Sequence, residues 1–385
     1  MPKFEGFIQS KLPTVGTTIF TVMSKMATEF NAINLSQGFP DFNADEKLID
    51  LVYKYMKSGF NQYAPMQGHI QLREQIAQLI ETEYNATYHP ESEITITSGA
   101  TQAIYTAIAA LLREGDEVII FEPAYDCYTP AVIVAGAKPI YVPLQLPDFK
   151  INWSAVKKLI THRTKMIIIN SPHNPTGSVI SENDLKELDK ITKNTDIIIL
   201  SDEVYEHMVF DGKKHHSISS HKQLINRSLL ISSFGKTFHA TGWKIAYAAG
   251  PENLMSEFRK VHQYLVFSCN SPVQLAIADY MKDENNYKHL HQFYQSKRDY
   301  FIKLIKNSRF EIQPCQGTYF QLLNYSKISE EKDVDMAKRL TQDKKIASVP
   351  LSVFYHEKTD NNLLRFCFAK KEETLEKAAE LICSI

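Results

Sequence analysis

The chain has 385 residues, 44% hydrophobic and 23% charged, with a formal net charge of −1. That length accommodates two domains, and balanced charge gives no reason to expect nucleic acid or an anionic membrane as partner. No run of about 18 apolar residues is present to span a bilayer, and five scattered cysteines without a C-x-x-C pair suggest neither a disulfide framework nor a zinc site.

The first residues carry no apolar export segment, so the expected location is cytoplasmic. An amphipathic stretch runs from Ile19 to Phe30 and leads into Ile33-Asn34-Leu35-Ser36-Gln37-Gly38-Phe39-Pro40-Asp41-Phe42. The Gly38–Pro40 turn brings backbone close to a neighbour. Helical patterns follow at 45–57 and 69–83, with Asn61-Gln62-Tyr63 between them.

From about 93 the texture alternates. Strand-like runs occur at 93–97, 117–121, 139–142, 165–170, 197–201, 229–232 and 245–248, and helical patterns at 102–112, 153–160 and 181–193 separate several of them. This alternation predicts an α/β sheet, mostly parallel, with right-handed crossovers. Ligands bind such sheets at the carboxyl ends of the strands. Beyond 285 the pattern changes to a long helix over 286–306, short strands near 310–323, 346–349 and 363–367, and helices at 333–342 and 371–383. The expected division is a large domain over 46–284 and a smaller α+β domain formed by 1–45 with 285–385. His207, His215, His216 and His221 crowd one stretch, which a polar loop accounts for without a metal.

The most informative stretch is Ser232-Ser233-Phe234-Gly235-Lys236-Thr237-Phe238-His239-Ala240-Thr241-Gly242-Trp243-Lys244, directly after the apolar run Leu229-Leu230-Ile231. It has a plain reading, a turn carrying two solvated lysines. A phosphate-loop reading fails, because the motif needs glycine at position 230, where Leu230 stands. In a third reading Lys236 forms an imine with the aldehyde of pyridoxal phosphate, while the serine hydroxyls and Lys244 hold its phosphate.

That third reading demands partners, and each strand end offers one. Ser98-Gly99-Ala100-Thr101 closes a strand and opens a helix, a natural phosphate cup, although such turns often only cap helices. Asp202 ends the run Ile197–Ser201; it would keep a pyridine nitrogen protonated, or simply cap a helix. Asn174 sits in the proline-fixed loop Asn170-Ser171-Pro172-His173-Asn174-Pro175-Thr176-Gly177, with its amide free for the ring hydroxyl. Tyr125, after Glu122-Pro123, is the candidate stacking plate, and Tyr205 adds a donor.

With these residues in view, the chain resembles the class I/II aminotransferases of pyridoxal phosphate fold type I, over about 33–368. It is similar above all to the methionine aminotransferase and kynurenine aminotransferase (glutamine transaminase K) group. The stretches that carry this are Asn34–Phe42, Glu122–Tyr128, Ser233–Lys244, His262–Phe267 and Gly317–Phe320. The resemblance implies a seven-stranded, mostly parallel sheet and a homodimer with shared sites. It implies Lys236 as the imine-forming lysine, and Ser233, Lys244 and backbone at Ala100 and Thr101 as phosphate ligands. Asp202 would meet the pyridine nitrogen, Asn174 and Tyr205 the phenolic oxygen, and Tyr125 the ring face. Arg365, helped by Gly38 and Asn174, would clamp the substrate carboxylate, and Tyr63 would reach the neighbouring subunit's phosphate.

The implied activity is ping-pong transfer of an amino group from an amino acid to a 2-oxo acid. Thr101 and Ser268 stand where some members carry bulkier residues, so the amino-acid preference does not carry over with the motifs. Phe20, Tyr63, Phe267 and Tyr355 suggest an apolar or aromatic side-chain pocket, and no second arginine is placed for a dicarboxylate. The alternatives are a cysteine-S-conjugate β-lyase on the same fold and a non-catalytic pyridoxal-phosphate-sensing module.

Overall fold

The computed structural model describes residues 2–385. Seven strands form the main sheet: β1 (Ile94–Thr97), β2 (Glu117–Glu122), β3 (Lys138–Pro143), β4 (Thr164–Asn170), β5 (Ile198–Asp202), β6 (Ser228–Ser233) and β7 (Ala246–Ala249). Their spatial order is β1-β7-β6-β5-β4-β2-β3. Every pairing is parallel except those of β7, which runs antiparallel to β1 and β6.

The sequence of the inner strands explains this placement. Val118–Phe121, Met166–Ile169 and Leu229–Ile231 are apolar on both faces, as a sheet covered on both sides requires. Ile119, Ile167, Ile199 and Leu230 join one buried cluster, and Ile120, Ile168, Leu200 and Ile231 join the cluster on the opposite face.

A second, antiparallel sheet holds β8 (Glu311–Ile312), β9 (Phe320–Asn324), β10 (Val349–Pro350) and β11 (Leu363–Cys367), in the order β10-β11-β9-β8. The N-terminal pair Ile33–Asn34 lies parallel to Ile346–Ala347, tying the start of the chain to this layer. The run at 346–349 therefore divides between two sheets instead of forming one strand. The long helix expected over 286–306 is also two pieces, Asn285–Lys288 and Leu290–Ile305, broken at His289. Helices Glu252–Leu265 and Ser271–Met281 were not among the sequence expectations. Asn270, which caps the second, and Pro272 at its first turn are the available signals.

Arg298 fastens the second layer to the loop that follows β5. It donates to both Asp211 oxygens at 2.6 and 2.7 Å and to the Cys315 carbonyl at 2.8 Å, with its guanidinium 4.9 Å from the Phe210 ring centre. Arg298→Ala should lower stability by roughly 2 kcal/mol, below a fully buried pair because Asp211 is half-exposed. A reduced urea midpoint at unchanged slope is the expected result.

Candidate active site

The carboxyl ends of β1, β2, β4, β5 and β6 converge on a cavity of about 300 Å³. Gly38, Ala100, Thr101, Tyr125, Asn174, Asp202, Tyr205, Ser233, Lys236, Lys244 and Arg365 all line it. Tyr63 does not: it lies on the surface, 80% exposed, with its ring 5.0 Å from Phe267. Of the four aromatics expected to shape a side-chain pocket, Phe20 alone lines this cavity; Tyr355 is buried elsewhere. Ser268 instead donates to the Ala64 carbonyl at 2.9 Å.

One end of the cavity is built for an anion. Helix Ala100–Leu111 starts here with no side-chain cap, so its first N–H groups and the positive end of its dipole face the space. Gly99 has φ +84°, and a Cβ there would lie 2.8 Å from Lys244 Nζ. A side chain there would push the Lys244 amine aside, and the positive φ by itself favours glycine. Ser233 and Thr241 add hydroxyls, and Lys244 has no carboxylate within ion-pair distance among the described residues.

The middle carries the buried acid and the amine. Asp202 accepts from the Tyr128 hydroxyl at 2.5 Å, and burial raises its carboxyl to about 6 despite that bond. A cationic ring nitrogen beside it would reverse that shift. Lys236 Nζ donates to the Tyr319 hydroxyl at 2.7 Å and to the Gly38 carbonyl at 3.1 Å. Burial lowers its amine to about 8; Arg365 and Lys244 push the same way, against Cys367 and Asp202.

At the far end Arg365 is 1% exposed. It donates to Asn174 Oδ1 at 2.7 Å and to the Ser36 carbonyl at 3.0 Å, and its guanidinium carbon lies 3.8 Å from the Phe320 ring centre. Its Nε is buried without a partner among the described residues, an orphan donor that a carboxylate would satisfy. With Asn174 Oδ1 committed to Arg365, the amide nitrogen of Asn174 is left to donate into the cavity. The cradle, the buried acid and the orphan donor fit a planar phosphorylated pyridine together with an amino acid.

Sequence reasoning missed Tyr128, Tyr319, Phe320 and Gln37. Tyr319 and Phe320 lie in a stretch that had supported the resemblance, but neither had been given a role. A larger cleft of about 710 Å³ lies across Asn170 and includes none of Lys236, Asp202 or Arg365, so volume does not mark the reactive site. The crowded histidines fall elsewhere: His215 Nε2 meets buried Glu203 at 2.7 Å. Among the described residues no group of three or more His, Cys, Asp or Glu is placed to hold a metal. Among the described residues no helix is long and apolar enough to cross a membrane.

The sequence matches the family profile of aminotransferase class I and II over residues 31–382. The chain belongs to that family. This aminotransferase is 48% identical over 373 residues to methionine aminotransferase of Escherichia coli (strain K12), covering 97% of both chains. It is 33% identical to kynurenine–oxoglutarate transaminase of Dictyostelium discoideum, covering 94% of this chain and 93% of the relative. A solved Escherichia coli structure described as having a methionine aminotransferase function superposes with a TM-score of 0.97 at 46% identity, over 98% of this chain and 100% of the other. The aminotransferase thus has the aspartate-aminotransferase-like α/β fold, with its mostly parallel seven-stranded sheet.

Acetic anhydride labelling of the aminotransferase in ligand-free form should distinguish Lys236 from surface lysines. The neutral amine is the nucleophile, so labelling rises with pH and should be half-maximal near pH 8 for Lys236, against about 10.4 for ordinary lysines. Peptide mass analysis across pH reads both; a Lys236 midpoint among the surface lysines would contradict the burial argument.

Proposed function

We propose that this chain is a pyridoxal-phosphate-dependent aminotransferase that moves the amino group of an apolar or aromatic amino acid, methionine included, to a 2-oxo acid in ping-pong turnover. The observation that carries the reading is the single cavity shared by the anion cradle, Asp202, Lys236 and Arg365. When bound, the cofactor supplies an aldehyde and an electron-withdrawing ring that weaken the bonds to the substrate α-carbon.

The chain's own residues hold, orient and move protons. Ser233, Lys244 and the N–H groups of Ala100 and Thr101 would hold the phosphate, and Tyr125 would lie against the ring. Asp202 would keep the ring nitrogen protonated, while Asn174 and Tyr205 would donate to the phenolic oxygen. Arg365 would grip the substrate carboxylate, with the Gly38 segment and Asn174 lining the same end. Lys236 can take or release a proton at Nζ near neutral pH, which suits a general base for the α-proton.

The substrate class is supported by the apolar surroundings of Arg365. Phe20, Phe320 and Phe354 pack about it, and no second arginine lines the described cavity. The Escherichia coli relative is named a methionine aminotransferase, and the Dictyostelium discoideum relative a kynurenine transaminase. We further propose a cytoplasmic homodimer. Tyr63, Tyr264 and Phe267 are 80%, 91% and 48% exposed, an aromatic surface suited to a second copy, whose phosphate Tyr63 would reach. The large unit is assigned to 46–284 and the smaller to 1–45 with 285–385.

Lys236→Ala should abolish turnover; retained transamination overturns the reading. Arg365→Lys keeps the charge but loses the planar fork, and kcat/KM for methionine should fall about 100-fold, or roughly 3 kcal/mol. In the loaded wild-type protein, methionine or phenylalanine should bleach the visible cofactor band faster than aspartate does. Preferential bleaching by aspartate would overturn the substrate class.

A further inference from the structure

Tyr319 lies immediately before β9 and is fully buried. Its ring is walled by Tyr205 at 5.1 Å, Phe320 at 4.9 Å and Tyr294 at 5.6 Å between centres. Its hydroxyl donates to the Gly38 carbonyl at 2.5 Å. A phenol has one proton and a carbonyl can only accept, so the Tyr319 oxygen must present its lone pairs to Lys236 Nζ at 2.7 Å.

We propose that Tyr319 is a positioning residue whose hydroxyl, with the Gly38 carbonyl, aims the Lys236 amine at the substrate α-carbon. The inference rests on the aminotransferase reading above. A protonated amine has three N–H bonds. Tyr319 Oη and Gly38 O receive two of them, which leaves the third for delivery to a reacting carbon. Burial raises the Tyr319 phenol well above its usual range, so it keeps its proton on the Gly38 carbonyl and acts toward Lys236 as a fixed acceptor. The same oxygen ties the amine to the Gly38 segment, next to the Ser36 carbonyl that holds Arg365. Carboxylate binding at Arg365 and amine orientation thereby share one stretch of backbone.

The test is Tyr319→Phe in the cofactor-loaded enzyme, which deletes one oxygen and keeps the ring. Expected are a kcat about tenfold lower, a KM within about twofold, and a larger isotope effect with α-deuterated methionine. Independently of turnover, the pH midpoint of acetic anhydride labelling at Lys236 in the ligand-free protein reports the proton at Nζ. It should fall by about half to one unit, the worth of one net hydrogen bond. Asp202, Lys244, Arg365 and Cys367, the other charged or titratable groups acting on Nζ, are unaltered in this variant. Tyr294→Phe is the packing control, because that buried hydroxyl has no partner among the described residues; it should move neither readout. An unchanged midpoint and isotope effect in Tyr319→Phe, or equal shifts in Tyr294→Phe, would overturn the inference. Absence of transamination by the wild type would instead overturn the functional reading on which it rests.

Discussion

Lys236, Lys244 and Arg365 share one small cavity with a single buried carboxylate, Asp202. Charge withdrawn from water is costly unless it is paired; Arg365 is fully buried and Lys236 partly so, while Lys244 reaches solvent, and the excess at the site is cationic. The protein lowers part of that cost at Lys236, whose amine burial pulls down to about 8, whereas the Arg365 guanidinium keeps its charge. The rest is left for ligands. A phosphate dianion beside Lys244 and a carboxylate at Arg365 would neutralise the site, in keeping with the uncapped helix start at one end and, among the described residues, the unpartnered Arg365 Nε at the other.

The sheet makes this arrangement possible. Strands that run in one direction end on one edge of the sheet, so the loops after β1, β2, β4, β5 and β6 deliver side chains to one place without any long excursion. Asp202 is the last residue of β5, where the hydrogen-bonded strand fixes its backbone, and the Tyr128 hydroxyl fixes its carboxyl. Arg365 arrives from the other sheet, on β11, and joins the first through Asn174. That bond also sets which end of the Asn174 amide is left for a ligand, so Arg365 and the loop that follows β4 are connected through one side chain.

What was legible in the sequence follows the same division. Lys236, Asp202, Asn174 and the Ser98–Thr101 turn each stand at the end of an apolar run, where strand periodicity and turn residues announce position. Phe320 opens an ordinary-looking strand and Tyr319 immediately precedes it, and their roles depend on contacts to Arg365, Lys236 and Gly38 far away in the chain. No local pattern encodes such contacts. The same holds for the run 346–349, whose halves pair with different sheets, and for Tyr355, whose polar handle is held by Asn361 away from the cavity. Helix Leu290–Ile305 was visible from its periodicity, but its separation from Asn285–Lys288 at His289 was not, because no proline or glycine marks the break.

A ping-pong transferase must admit two different substrates to one cavity, and the pieces around Arg365 suit that demand. Every amino acid and every 2-oxo acid carries the same carboxylate, so a rigid fork held by Asn174 and Ser36 and flattened on Phe320 can bind both half-reaction partners alike. Discrimination then falls to the side chain, against apolar walls such as Phe20 and Phe320. Apolar contacts separate competing substrates by only about 1–3 kcal/mol. With Arg365 on the carboxylate, as proposed, such a site would tolerate a family of related donors instead of selecting one, because its strongest contact would read the group they have in common.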